Sequence, residues 1–344
     1  MKMKKKILVT GGTGYIGSHT IVDLIENGFE VISIDNYLRS MPSSLQGIKN
    51  ITGVEVKNYD VDMCKFDDLR NVFLQEKIID GIIHFAALKT VPESIDQPLF
   101  YYENNMFSLI NLMKCVLEFN IQNIVFSSSC SVYGNVKQLP VTENLPLEKP
   151  ECPYASTKQM GERVFIDFVK RYPDFKVIML RYFNPVGAHP SAEIGDNPIG
   201  KPNNLVPAIT QTAIGLIEKL YVWGDDYDTR DGSCIRDYIH VGDIANAHTK
   251  ALNRILENNN EENIEIYNLG SGEGISVIEA IKTFEKVNQI SLNYEIKSRR
   301  AGDVAAIYAD NEKAKSKLGW EIKYTLEDMM KSAWLWQLKL QDNS

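Results

Sequence analysis

The sequence is poor in cysteine. It has five among 344 residues (Cys64, Cys115, Cys130, Cys152 and Cys234), an odd number with no CxxC pair. That spacing argues against a disulfide scaffold and a zinc site, and it suits a reducing compartment, so a cytoplasmic protein is expected. No apolar run approaches the ~18 residues of a membrane span. The basic start, Lys2 and Lys4 to Lys6, is followed only by Ile7, Leu8 and Val9 before a glycine turn, so no export segment is expected. Positive charge is also in deficit. With 37 Lys and Arg against 45 Asp and Glu the net charge is −8, which argues against a nucleic-acid-binding face. The histidines (His19, His84, His189, His240 and His248) form no HxxH or HxxxH pair, so no catalytic metal is expected. Repeats and low-complexity tracts are absent. What remains is an ordinary globular composition, 44% hydrophobic and 24% charged, at a length of roughly two domains.

The first half alternates short β-rich runs with longer amphipathic ones. Strands are expected at 6–10, 30–34, 54–59, 81–85, 123–127 and 176–180, and helices at 15–27, 66–76, 99–118 and 155–171. Such alternation predicts an α/β fold, a parallel sheet with helices on both faces. After Arg181 the composition shifts. Residues 183–204 carry Pro185, Pro190, Pro198 and Pro202 with three glycines and no periodicity, a loop length that is uncommon unless functional. Beyond it the pattern predicts helices at 206–218, 241–256, 311–318 and 326–338 and strands near 221–223 and 265–269. The domain boundary is expected near residue 182.

Thr10 to Gly17 (TGGTGYIG) lies between the first strand and the first helix, with Gly11, Gly14 and Gly17 in GxxGxxG spacing. Gly11 permits a tight turn, Gly14 lets backbone approach a pyrophosphate, and Gly17 allows close helix–sheet packing. The helix start then offers unpaired N–H groups and a partial positive charge to phosphates. This is a dinucleotide-binding signature, and the doubly wound Rossmann-type sheet is the expected architecture. Asp35, at the end of the second strand, suits the ribose hydroxyls and would repel a 2′-phosphate, so NAD is expected rather than NADP; Arg39 nearby argues the other way.

Tyr154-Ala155-Ser156-Thr157-Lys158 places a phenol and an ammonium at i and i+4 on one helix face. A lysine beside a tyrosine favours the phenolate, so Lys158 is expected to lower the Tyr154 pKa. The helix follows a strand ending in Ser127-Ser128-Ser129, and a hydroxyl at the carboxyl end of a parallel strand points into the ligand crevice. Ser129, Tyr154 and Lys158 are the catalytic candidates.

In this order the glycine turn, the strand-end serine and YxxxK resemble the extended short-chain dehydrogenase/reductases. The segments 10–20, 84–89, 126–134, 180–191 (LRYFNPVGAHPS), 202–205 and 235–241 (IRDYIHV) narrow the resemblance to the UDP-glucose 4-epimerase family, over nearly the whole chain. The resemblance implies an NAD-binding domain at 1–182, its sheet completed by the strand near 265–269, and a smaller mixed α/β UDP-sugar domain at 183–344. It implies transient oxidation at sugar carbon 4, rotation of the keto sugar and re-reduction on the other face, with UDP-glucose and UDP-galactose interconverted. Gly12, Tyr15 and Ile16 of the glycine turn are then assigned to the dinucleotide, with Asn36, Asp60 and Val61 around its adenosine. Phe85, Ala86, Ala87 and Lys89 line it, and Asn104 and Phe183 stand near its nicotinamide half. The UDP-hexose is assigned to Ser129, Tyr154, Asn184, Asn204, Leu205, Tyr221, Trp223, Arg236, Tyr238, Arg300, Asp303 and Ile307. The two arginines suit phosphate oxygens.

Ile307 stands where the family's residue size gates the sugar's 2-substituent, so activity on N-acetylated UDP-hexosamines is an expectation as well. Members of the family dimerise, and 99–118 and 155–171 are the candidate helices. A nucleotide-sugar 4,6-dehydratase shares the fold and YxxxK, but its Asp-Glu pair after the strand-end hydroxyls is replaced here by Cys130 and Ser131. A non-catalytic NAD-binding protein is the other alternative, since fold alone does not guarantee chemistry.

Overall fold

The computed structural model describes residues 4–300 and 304–342. Its first half runs β1 (Lys6–Thr10), α1 (Tyr15–Glu26), β2 (Glu30–Ile34), α2 (Ser43–Thr52), β3 (Lys57–Tyr59), α3 (Phe66–Glu76), β4 (Gly81–His84), α4 (Val91–Asp96), α5 (Pro98–Glu118), β5 (Asn123–Ser129), α6 (Pro153–Arg171) and β6 (Lys176–Tyr182). There follow β7 (Asn184–Val186), α7 (Leu205–Ala213), β8 (Leu220–Trp223), β9 (Ile235–Arg236), β10 (Tyr238–His240), α8 (Val241–Leu256) and β11 (Ile264–Leu269). The chain closes with β12 (Ile275–Ser276), α9 (Val277–Asn288), β13 (Tyr294–Lys297), α10 (Glu312–Leu318) and α11 (Leu326–Asp342).

Seven strands form one parallel sheet in the order β11-β6-β5-β4-β1-β2-β3. Its central strands are aliphatic without interruption because both faces are covered. Along β1 the side chains alternate: Ile7 and Val9 pack with Ile21, Ile244 and Trp320 on one face, and Leu8 packs with Phe73, Leu112 and Phe165 on the other. The strand order reverses between β1 and β4, so the loops leaving them diverge and open a crevice at the carboxyl ends of the strands. A third core, including Val186, Val222, Tyr238, Phe284 and Met330, fills the smaller unit. The chain recrosses to the sheet after residue 240. There α8 lies against α1, and β11 pairs in parallel with β6 from Ile264↔Val177 to Leu269↔Tyr182.

Several elements differ from the sequence reading. The strand expected at 54–59 is paired only at Lys57–Tyr59, beside Ile32–Ile34, because α2 ends at Gly53 in the left-handed conformation and the chain must first turn back to the sheet. The helix expected over 206–218 stops at Ala213, and Gly215 at φ +82° turns the chain away. The unanticipated α9 carries a capping box: the Ser276 hydroxyl accepts from the Glu279 N–H while the Glu279 carboxylate accepts from the Ser276 N–H. Among the described residues no helix is long and apolar enough to cross a membrane.

Candidate active site

The crevice is one continuous cavity of about 1570 Å³, running from the glycine turn past the end of β5 to the loops after β6. At the turn, Gly11 has φ +70°, and a Cβ there would lie 2.8 Å from the Ala86 nitrogen. A Cβ on Gly17 would lie 2.2 Å from the Gly11 carbonyl oxygen, so α1 can press against the turn only without a side chain. Gly14 is the N-cap of α1 and offers no side-chain cap, which leaves the first amides, from Tyr15 to Gly17, directed at the crevice. Gly11, Gly14, Tyr15, Ile16 and Gly17 line the cavity with Phe85, Ala86, Ala87, Lys89 and Asn104. The Lys89 ammonium lies 5.7 Å from the centre of the Tyr15 ring, adding a cation at the same end. An uncapped helix start, a glycine cradle and a cation fit a dinucleotide pyrophosphate.

Gly12 is a correction. It packs inward, where a Cβ would meet the Ser33 hydroxyl and Ile21, and it does not line the cavity. Asp35 and Asn36 do line it. The Asp35 carboxylate accepts hydrogen bonds from Thr13 N at 3.1 Å, Tyr37 N at 3.0 Å and Ser40 Oγ at 2.8 Å, which locks the turn to the end of β2. Arg39, the residue that argued for NADP, is paired with Glu93. Val61 reaches the cavity, whereas Asp60 lines only a neighbouring shallow depression that Val61 also borders.

Pro153 begins α6, whose N-cap is the Cys152 thiol. Tyr154, Lys158 and Ser129 are all buried against the cavity wall. The Ser129 hydroxyl stands beside the Tyr154 phenol. Lys158 Nζ donates to Ser127 O at 2.6 Å and lies 6.0 Å from the centre of the Tyr154 ring. Burial drives the Tyr154 phenol well above its ordinary pKa, the Tyr182 phenol adds to this, and the Ser129 hydroxyl opposes it. Burial draws Lys158 down to about 8, against the Glu162 carboxylate. The expectation that Lys158 lowers the Tyr154 pKa is therefore corrected: here desolvation dominates both groups, and the ammonium is directed at a backbone carbonyl rather than at the phenol.

Of the residues assigned to the sugar nucleotide, Asn184, Asn204, Arg236, Arg300 and Ile307 line the cavity with Phe183. Arg236 is held by Nη1 donating to Ile235 O at 2.9 Å and Val304 O at 2.8 Å. Four others do not reach it. Tyr238 is buried in the third core and Leu205 packs against that core. On β8, Leu220 and Val222 take the inward face, so the strand alternation turns Tyr221 and Trp223 to solvent. Asp303 lies outside the described residues. The sequence reading missed Glu193, Asp196, Trp336 and Lys339, which also line the cavity. Trp336 Nε1 donates to Asp196 O at 2.8 Å and Lys339 pairs with Glu193, so the C-terminal helix fastens the proline-rich loop.

A family model described as GDP-mannose 4,6 dehydratase matches residues 8–333. The chain is 46% identical to the UDP-glucose 4-epimerase of Haemophilus influenzae over 331 residues, 96% of this chain and 97% of that one. It is 45% identical to the UDP-glucose 4-epimerase of Bacillus subtilis over 331 residues, 96% of each chain. The chain belongs to the UDP-glucose 4-epimerase family. It is also similar to the crystal structure of that epimerase from Bifidobacterium longum in complex with NAD+ and UDP, with a TM-score of 0.93 at 44% identity, covering 99% of this chain and 100% of that one.

Within the epimerase family, Cys130 and Ser131 bear on the dehydratase alternative. Dehydration across carbons 5 and 6 needs an additional acid and base. The residues following Ser129 are a hydroxyl and a thiol, the latter pushed up to about 12 by burial, and neither can serve as a carboxylate.

Proposed function

We propose that the chain catalyses the NAD-dependent interconversion of UDP-glucose and UDP-galactose. The observation that carries this reading is the convergence of Ser129, Tyr154 and Lys158 in one cavity with the open start of α1 on one side and Arg236 and Arg300 on the other. NAD, when bound, supplies the acceptor and donor for the hydride at sugar carbon 4. Acting as the phenolate, Tyr154 Oη takes the proton of the 4-hydroxyl, directly or through Ser129 Oγ, and returns it after the keto sugar has turned over. Arg236 and Arg300 hold the diphosphate, leaving the hexose free to present either face. Deep burial excludes water from the 4-keto sugar.

Residues 1–182 with β11 serve as the NAD-binding unit and 183–344 as the UDP-sugar unit. Ile307, smaller than tyrosine, admits N-acetylated UDP-hexosamines to some degree. The chain pairs with a second copy through α5 and α6, on which Leu99, Phe107, Ile110, Met160 and Ile166 are exposed. It works in the cytoplasm, where its five free cysteines stay reduced.

The test is Tyr154→Phe, assayed for formation of UDP-glucose from UDP-galactose. Loss of the proton-transfer group lowers kcat by about 10²–10⁴-fold while UDP still binds. Near-wild-type turnover in the phenylalanine variant would defeat the reading.

A further inference from the structure

Beneath the Ser129–Tyr154–Lys158 group lies a charged network with no contact to the cavity. Glu162 and Arg181 are both fully buried. Arg181 grips the carboxylate with two parallel bonds, Nε to Oε1 at 2.8 Å and Nη2 to Oε2 at 2.6 Å. Its Nη1 donates to the Tyr133 hydroxyl at 3.0 Å, and that hydroxyl donates to Asn268 Oδ1 at 2.6 Å. Ser128 Oγ donates to Glu162 Oε1 at 2.5 Å.

Two placements connect this network to the chemistry. Glu162 follows Lys158 by one helical turn, as Lys158 follows Tyr154, so all three lie on one face of α6. Ser128 sits between Ser127, whose carbonyl receives the Lys158 ammonium, and Ser129, whose hydroxyl meets the phenol. In a strand the side chains alternate, so a bond that fixes Ser128 on one face of β5 also fixes the rotation of the strand end presenting Ser129 on the other. A buried ion pair is a weak source of stability, because an apolar pair of similar volume is often as stable or more so. Its place here calls for a different explanation.

We propose that Glu162 is a positioning residue: through Ser128 it sets the end of β5, and through its charge it acts on the Lys158 ammonium one helical turn away, with Arg181 holding the carboxylate in place. This rests on the epimerase reading above. Lys158 faces the Phe126 ring and the Ser127 carbonyl from β5, His84 from β4, and Tyr154 and Glu162 from its own helix. Glu162 is the carboxylate that acts on it.

Two variants test the proposal, Glu162→Gln combined with Arg181→Met, which removes both members of the ion pair, and Ser128→Ala, which leaves the ion pair intact. Turnover of UDP-galactose is measured across pH, with UDP affinity by calorimetry and thermal midpoints as controls. The double variant is expected to fold and bind UDP like the wild type, with KM within about twofold and kcat lowered on the order of tenfold to a hundredfold. The alkaline limb of its kcat profile moves to lower pH, because the ammonium loses its carboxylate. Ser128→Ala is expected to lower kcat severalfold with that limb unmoved. Wild-type kcat in both variants overturns the proposal. So does a loss in the double variant that affects kcat, KM and UDP affinity alike with the limb in place, which marks a structural role. If the double variant does not fold, Ser128→Ala decides alone: lowered kcat at unchanged UDP affinity upholds the proposal, and wild-type kcat overturns it. Absence of turnover in the wild type would instead refute the epimerase reading.

Discussion

Mild acid should destabilise this protein through four buried histidines. His19 lies under the glycine turn on α1, His84 ends β4 beside Lys158, His240 caps α8, and the His248 ring packs 4.6 Å from the Phe85 ring. Each is at most 3% exposed. Burial lowers their pKa values from 6.5 to about 3 for His19 and His84 and about 4 for His240 and His248. Nε2 of both His19 and His248 has no hydrogen-bond partner to stabilise a second proton. Below pH 6.5 the unfolded chain therefore binds protons that the folded chain refuses, and stability falls as the pH falls toward the folded values. At pH 5 each ring contributes a loss of about 2 kcal/mol, about 8 kcal/mol for the four.

Asp237 and Asp243 work the other way. Burial raises both from 3.8 to about 6, so they favour the folded state below pH 3.8 and lose that contribution as the pH rises through 6. Between pH 7 and pH 5 they return about 1.3 kcal/mol each. The net loss is about 5 kcal/mol, against a typical domain stability of 5–15 kcal/mol. Urea unfolding at the two pH values measures it directly. In His248→Leu the pH dependence should flatten by about 2 kcal/mol, since that ring no longer titrates. Equal stability at pH 7 and pH 5, or an unchanged slope in that variant, would refute the reasoning.

Three further outcomes are expected. Gly17→Ala forces a Cβ to within 2.2 Å of the Gly11 carbonyl, so the turn must open. The purified variant should carry less NAD per chain than wild type and lose about 1–3 kcal/mol in urea unfolding; full NAD content would contradict the close-packing argument. Trp320 is fully buried and donates to Asp243 O at 2.9 Å, tying the segment after α10 to α8. Trp320→Ala should cost about 3–5 kcal/mol by chemical denaturation, and a loss below 1 kcal/mol would show that the contact is dispensable. Ile307→Ala should raise kcat/KM for UDP-N-acetylgalactosamine relative to UDP-galactose by about tenfold, the scale of a small pocket change. An unchanged ratio would remove Ile307 from the specificity argument.

Patterns local to a few residues were legible in the sequence. The glycine spacing, the aliphatic strands of the sheet and the i, i+4 pair on α6 each express a single backbone geometry, and the structure brings Ser129, Tyr154 and Lys158 to one wall of the cavity. The capping box at Ser276 and Glu279 is a local signal for α9 that apolar periodicity alone does not carry. By contrast, nothing near Tyr221 and Trp223 indicates which face of β8 meets solvent. That is decided by the partner strand β13 and the third core.

The sequence by itself thus determined the parallel α/β order, the dinucleotide turn and the identity of the phenol and its lysine, because repeat period and turn chemistry act over short stretches of chain. Only the tertiary structure decided the rest. It turned Gly12 inward, directed Lys158 at the Ser127 carbonyl, raised the Tyr154 phenol by burial, set Arg181 on Glu162 and fastened the proline-rich loop with the C-terminal helix. Solvent exclusion and hydrogen-bond partners come from residues 19 to 146 positions apart in the last two of these contacts, and such distances carry no periodic signal.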